Sequence, residues 1–185
     1  MGKEISKISQ KLCMRTNFYK VLILGLEGSG KTTLFDRIKT NEVYLRHPTI
    51  GFNTEQIKLD GLSITLWDFG GHEKIMNLWE KYFDNTDLVI LMIDSTDTSC
   101  YDKIKNVLNM LKEKLASVYV LIVMNKVDIK DSVPSDKISK MVDLYSYNLK
   151  IAKIIPTSTT RGDGLDEIKK TMKYVLKNNI VCNIN

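Results

Sequence analysis

Three observations in the sequence predict an α/β fold: a six-stranded, mostly parallel sheet with one antiparallel pair and helices on both faces. Apolar, β-branched runs alternate with stretches of helical period along most of the chain. The runs 88–93 and 118–124 are continuously apolar over six and seven residues, as strands covered by helices on both faces require. Asp60-Gly61 falls between two strand-like runs, a strong short-range hairpin signal, so one neighbouring pair of strands is expected to be antiparallel.

In chain order, the strands are expected at 20–24, 52–59, 62–67, 88–94, 118–125 and 151–157. Helices are expected at 31–40, 75–82, 99–115, 134–144 and 165–177. At 185 residues, 43% apolar and 26% charged, the chain is long enough for one domain with a core of its own, and its composition excludes collagen-like, low-complexity and mostly disordered classes. No repeat or linker marks a second domain, so residues 20–180 read as one domain preceded by an extension, 1–19. No apolar run approaches the roughly 18 residues that cross a bilayer. The three cysteines, Cys13, Cys100 and Cys182, are too scattered for a disulfide framework or a zinc site, and reduced thiols in the cytoplasm are expected. The net charge of +5 is concentrated: residues 1–20 carry +4 and the other 165 carry +1, which argues against a nucleic-acid partner.

Strand 20–24 runs into Gly25-Leu26-Glu27-Gly28-Ser29-Gly30-Lys31-Thr32, which matches G-x-x-x-x-G-K-S/T, and a helix follows at once. Glycines let the backbone wrap so that successive N–H groups face phosphate oxygens, and the helix N-terminus adds its positive end. Lys31 is then expected to bridge the β- and γ-phosphates and the Thr32 hydroxyl to ligate Mg²⁺. The loop alone does not separate ATP from GTP.

Asn125-Lys126-Val127-Asp128 ends the apolar strand 118–125, on the sheet edge where open α/β proteins bind ligands. A carboxylate at Asp128 can accept from both guanine N1–H and the 2-amino group. Adenine offers neither donor and would leave the carboxylate unpaired. Asn125 is expected to brace the loop, Lys126 to lie across the base, and Ser158-Thr159-Thr160 to offer backbone N–H to the guanine carbonyl.

Two further stretches, Pro48-Thr49-Ile50-Gly51-Phe52-Asn53 and Trp67-Asp68-Phe69-Gly70-Gly71-His72, flank the hairpin. With the phosphate loop and Asn-Lys-x-Asp in order, residues 17–178 resemble the small GTPases of the ADP-ribosylation factor and Arf-like family. Glu27 in the phosphate loop and Thr33 after Thr32 belong to the same resemblance. It implies a P-loop GTPase that cycles between GTP and GDP with Mg²⁺. Glu27, Gly28, Ser29, Gly30, Lys31, Thr32 and Thr33 would surround the phosphates, and Thr49 would join the metal only when a γ-phosphate is present. Asp68 would hold the ion through water, and the Gly71 N–H would touch the γ-phosphate. Phe52, Trp67 and Tyr82 match an aromatic triad that binds effectors. The resemblance further implies an exchange factor, a GTPase-activating protein and effectors as partners, and a role in vesicle trafficking at the Golgi or another endomembrane. The hairpin keeps the length that permits a two-residue register shift.

The sequence departs from the family pattern at two positions. His72 stands where the family carries a water-positioning glutamine; an imidazole can orient water with a different reach, so slow hydrolysis that depends on an activating protein is expected. Arg46 lies three residues before Thr49, the offset at which Gα proteins carry a built-in arginine that acts on transition-state charge; a solvated loop arginine is the expected reading here, with the catalytic role as the alternative. At the N-terminus, Met1-Gly2-Lys3-Glu4-Ile5-Ser6 fits the myristoylation pattern at Gly2. Ile5, Ile8 and Leu12 then share one helical face opposite Lys3, Lys7 and Lys11, a weak interfacial anchor beside anionic lipid. Cys13 is a candidate for palmitate. The final Cys182-Asn183-Ile184-Asn185 departs from the prenylation pattern at Asn183 and Asn185. Besides a membrane-cycling switch, the sequence leaves open a GTP-binding recruitment module with little turnover and, less compatibly with Asp128, a P-loop ATPase or nucleotide kinase.

Overall fold

Strand β1 (Phe18–Gly25) lies at the centre of the sheet because its alternate residues serve two cores. Leu22 and Leu24 face one layer of helices, and Val21 and Ile23 face the other. The structure, a computed structural model, describes residues 18–45 and 47–182. Around β1 the sheet is ordered β2 (Phe52–Leu59), β3 (Leu62–Phe69), β1, β4 (Leu88–Asp94), β5 (Tyr119–Asn125) and β6 (Lys150–Thr157). Only β2 and β3 pair antiparallel, in register from Leu59↔Leu62 outward to Phe52↔Phe69. Asp60 (φ 48°) and Gly61 (φ 84°) both take the left-handed conformation that a two-residue I′ turn requires.

Helices α1 (Lys31–Thr40) and α5 (Leu165–Cys182) cover one face, and α3 (Tyr101–Lys114) and α4 (Ser135–Met141) cover the other. Leu34, Phe35, Ile38, Ile168 and Met172 close the first core; Ile104, Val107, Leu108, Leu111 and Ile138 close the second. The continuous apolar runs of β4 and β5 are thereby explained, since every residue from Leu88 to Ile93 and from Val120 to Met124 is buried.

One expected helix is not continuous. Residues 75–82 form a short α2 (Glu73–Met76) followed by a 3₁₀ turn, Trp79–Tyr82. The spacing of Ile75, Leu78, Trp79 and Tyr82 suits one apolar helical stripe. The fold instead buries Trp79 completely under Gly70 and leaves Leu78 40% exposed. Strand β1 begins at Phe18, paired with Ser63, so the sheet takes in the last two residues of the expected 1–19 extension; α5 runs two residues beyond 180. Gly2, Cys13, the 1–17 segment, Arg46 and the final Asn183-Ile184-Asn185 lie outside the described residues. Among the described residues no helix is long and apolar enough to cross a membrane.

Candidate functional site: a nucleotide cleft at the carboxyl edge of the sheet

The parallel strands deliver their chemistry to one edge. Gly25–Thr32 runs on from the end of β1, Asp68 lies at the end of β3 with Gly70–Gly71 just beyond it, Asn125 ends β5 and leads into residues 126–128, and Ser158–Thr160 follows β6. A cavity of about 720 Å³ opens between the phosphate loop, segments 43–45 and 47–50, residues 69–72, and Thr160. His72 lines the same cavity.

The phosphate loop is held from within and from outside. Ser29 Oγ donates to the Leu26 carbonyl at 2.8 Å, and Lys31 Nζ donates to the same carbonyl at 2.7 Å. Gly30, with φ 94°, opens α1, and a β-carbon there would sit 2.2 Å from Asn125 Nδ2, so only glycine fits. Gly71 is pressed equally close to the loop: a β-carbon would stand 2.3 Å from the Glu27 nitrogen and 2.6 Å from Lys31 Nζ. Burial pushes the Lys31 ammonium down to about 8, against the opposing pull of Asp68 and Glu27. A buried ammonium at this point, still charged at neutral pH, is poised for an anion.

Asp68 gathers the residues expected to hold metal. Its Oδ2 accepts from Thr32 Oγ1 at 2.8 Å, from Asn53 Nδ2 at 3.1 Å and from Thr49 Oγ1 at 3.3 Å, and the two threonine hydroxyls are 2.9 Å apart. Burial raises the Asp68 carboxyl above its ordinary range, against the hydrogen bonds from Thr32 and Asn53 and the charge of Lys31. The other carboxylate oxygen, Oδ1, is buried without a hydrogen-bond partner. An orphaned carboxylate oxygen beside two hydroxyls is a hard-oxygen set that suits Mg²⁺. Asn53 was not singled out in the sequence as a member of this cluster. Counting outward from the Asp60-Gly61 turn would have found it, because the register puts Asn53 opposite Asp68.

At the other end of the edge, Asn125 bridges the phosphate loop and the loop after β6. Its Nδ2 donates to the Ser29 carbonyl at 2.8 Å and to Thr159 Oγ1 at 3.2 Å, while its Oδ1 accepts from the Thr159 N–H at 3.0 Å. A hydrogen bond from Ser158 keeps the Asp128 carboxyl below its usual value, and Arg161 Nε lies 3.7 Å from it. Lys126, at φ 68°, pairs with Asp94 Oδ2 at 2.5 Å, which sets its stem along this edge of the sheet.

Phe52, Trp67 and Tyr82 do come together, with ring centroids 5.1 to 5.7 Å apart and Phe69 beneath them. Phe52 is exposed and the other two are half-buried. Lys20 Nζ lies 5.1 Å from the Trp67 ring and donates to the Tyr82 carbonyl at 2.6 Å. The His72 side chain is exposed and caps α2, its Nδ1 accepting from the Lys74 N–H at 3.3 Å. Trp79, absent from the sequence reading as a site residue, donates from Nε1 to the Gly70 carbonyl at 3.2 Å and so fixes the glycine pair. Only its rarity, as one of two tryptophans, could have drawn attention to it.

A P-loop at the head of a doubly wound sheet, an oxygen cluster at Asp68 and a braced Asn-Lys-x-Asp loop define the small-GTPase class of nucleotide-binding proteins. The model of the ADP-ribosylation factor family matches residues 5–177. ADP-ribosylation factor F of Dictyostelium discoideum is 37% identical over 152 residues, and ADP-ribosylation factor K of the same organism is 35% identical over 150, each alignment covering 80% of both chains. Among solved structures, the Arl6 BBS3 small GTPase of Trypanosoma brucei, with the nucleotide analogue GppNp bound, superposes with a TM-score of 0.75 at 26% identity. That match covers 89% of this chain and 98% of the other. The chain belongs to the ADP-ribosylation factor family, small GTPases that hydrolyse GTP to GDP and phosphate.

Proposed function

We propose that the chain is a Mg²⁺-dependent GTP/GDP switch with slow intrinsic turnover that cycles on and off an endomembrane, the Golgi or another, and recruits effectors there for vesicle trafficking. The observation that carries the metal-dependent switch is the convergence of Thr32 and Thr49 on Asp68, with Asp68 Oδ1 left unpartnered. Thr49 belongs to the segment before β2, so its position beside Thr32 links that segment to the phosphate end of the site. Losing the γ-phosphate would release Thr49 and the 70–72 loop together, an order-to-disorder switch that partners read.

In this reading the phosphate-loop backbone from Glu27 to Thr33 receives the β- and γ-phosphates and Lys31 supplies positive charge between them. Thr32 and Thr49 would hold Mg²⁺ directly, with Asp68 holding it through water. Bound there, the ion neutralises charge on the phosphate oxygens. The Gly71 N–H approaches the γ-phosphate, and Trp79 holds the adjoining Gly70 carbonyl while it does so. Asp128 reads guanine N1–H and the 2-amino group, Lys126 covers the base, and the loop of Ser158, Thr159 and Thr160 reads the carbonyl. Phe52, Trp67 and Tyr82 form the surface that effectors contact. An exchange factor and a GTPase-activating protein drive the cycle, and the segment ahead of β1, residues 1–17, with myristate on Gly2 supplies reversible membrane binding. Incorporation of a labelled myristate analogue into wild type but not Gly2→Ala supports that anchor; equal labelling refutes it.

Competition of GDP and ADP against bound mant-GDP, with and without Mg²⁺, tests the nucleotide reading. Displacement by GDP alone, tightened by Mg²⁺, is expected; equal displacement by ADP overturns it. A second reading, a recruitment module with little turnover, is favoured by one observation: His72 Nδ1 is occupied in capping α2. GTP turnover measured with and without cell extract separates the two, since a module hydrolyses in neither.

A further inference from the structure

Arg37 lies on α1, half-buried, six residues after the phosphate-loop lysine, and takes no part in the site described above. Its guanidinium nonetheless reaches across to the loop after β6. Nε donates to the Thr159 carbonyl at 3.0 Å and Nη2 to the Thr160 carbonyl at 2.5 Å, while Nη1 donates to the carbonyl of Asn41, the C-cap of its own helix, at 2.8 Å. Three donors of one rigid fork therefore hold three carbonyls, two of them consecutive and more than 120 positions away in sequence.

The peptide unit is planar, so fixing a carbonyl fixes the N–H on its far side. The carbonyl of Thr159 shares its peptide with the Thr160 N–H, and that of Thr160 with the Arg161 N–H. The Thr159 N–H already donates to Asn125 Oδ1. The Ser158 N–H donates to the Asp163 carbonyl and the Arg161 N–H to Ser158 Oγ, so the grip of Arg37 sets the direction of the remaining Thr160 N–H, and Thr160 itself lines the nucleotide cleft. Asn125 closes the ring, since it also donates to the Ser29 carbonyl of the phosphate loop. Phosphate loop, α1, Arg37, the 159–160 peptides and Asn125 make one continuous polar circuit.

We infer that Arg37 is a positioning residue for base recognition: from the phosphate-loop helix it orients the Thr160 backbone N–H, the group in the 158–160 loop that reads the oxygen at position 6 of guanine. The inference rests on the guanine-nucleotide reading and deepens it. Lysine cannot substitute fully, because one ammonium cannot span two consecutive carbonyls and a helix cap in a fixed plane.

The test compares wild type, Arg37→Met and Arg37→Lys, each full-length, by mant-GDP release and by competition with two analogues. In 6-thio-GDP sulfur replaces the position-6 oxygen; IDP keeps that oxygen but lacks the 2-amino group that Asp128 reads. Wild type is expected to prefer GDP to both. In Arg37→Met, release of mant-GDP is expected to quicken about tenfold, the size expected for losing charge-assisted hydrogen bonds. The preference for GDP over 6-thio-GDP falls toward one while the preference over IDP stays as in wild type. Arg37→Lys falls between the two, and its ratios decide the matter should Arg37→Met not fold. A loss of both preferences together would mean general loosening and would overturn the inference, as would an unchanged 6-thio-GDP ratio or a wild type that does not distinguish oxygen from sulfur. Failure of wild type to bind GDP at all would instead defeat the guanine-nucleotide reading.

Discussion

Replacing Trp79 by Phe asks how much of the 70–72 loop depends on a single buried indole. Trp79 is wholly buried, and its Nε1 donates to the Gly70 carbonyl at 3.2 Å, while the Gly70 N–H donates to the Gly51 carbonyl at 2.8 Å. Phe keeps the apolar packing but has no donor, and the Gly70 carbonyl is left buried without Trp79 at a cost of about 1–3 kcal/mol. The smaller ring adds about 1 kcal/mol for the space it fails to fill. Together Trp79→Phe is expected to lose about 2–4 kcal/mol, a large share of the roughly 5–15 kcal/mol that holds a domain folded. Urea unfolding, followed by circular dichroism on GDP-loaded protein at one fixed excess of GDP, reads this directly, because bound ligand itself stabilises. With a slope of about 2 kcal/mol per molar urea, the midpoint should fall by about 1–2 M at unchanged slope. The thermal midpoint should drop by roughly 6–12 °C. A loss below about 1 kcal/mol at unchanged slope would show that the hydrogen bond to Gly70 contributes nothing, and with it would go the claim that Trp79 fixes the glycine pair.

Removing the carboxylate charge in Asp68→Asn should abolish the effect of Mg²⁺ on nucleotide retention: chelation with EDTA is expected to accelerate mant-GDP release from wild type, and the same acceleration in the variant would disprove a metal role for Asp68. Because the Ser158 hydrogen bond keeps the Asp128 carboxyl low, the guanine contact proposed for Asp128 should be present above the carboxylate range and be lost as pH falls through the depressed value. Ser158→Ala raises that value, so GDP affinity measured from pH 7 downward should begin to fail at a higher pH than in wild type; coincident profiles would refute the link. Single-turnover GTP hydrolysis should slow at least about tenfold in His72→Ala, with activity retained in His72→Gln. An unchanged rate in His72→Ala would remove His72 from the mechanism and leave it as the cap of α2.

The class of fold and most of the site were legible because their signals are contiguous. Gly25–Thr32 and Asn125–Asp128 are short strings whose chemistry depends on local backbone, and the strands that carry them are marked by unbroken apolar runs. The Asp60-Gly61 turn even sets which β2 residue meets which β3 residue. The helix expected over 75–82 failed for a physical reason: periodicity shows that Ile75, Leu78, Trp79 and Tyr82 are apolar, not which of them the core will take. Tertiary packing took Trp79 and broke the helix to do so.

By itself, then, the sequence determined the strands and every helix but the one over 75–82, the phosphate loop, the Asn-Lys-x-Asp loop and the concentration of positive charge in residues 1–20. What the tertiary structure decided is which distant groups complete one another: Asn53 on the Asp68 carboxylate, Trp79 on the Gly70 carbonyl, Lys20 on the Trp67 ring of the aromatic triad, and Arg37 on the peptides of Thr159 and Thr160. Each of these is a side-chain donor or cation meeting a partner on another element. No local pattern encodes such a partner, because burial and hydrogen-bond satisfaction are settled only when the sheet has brought the elements together.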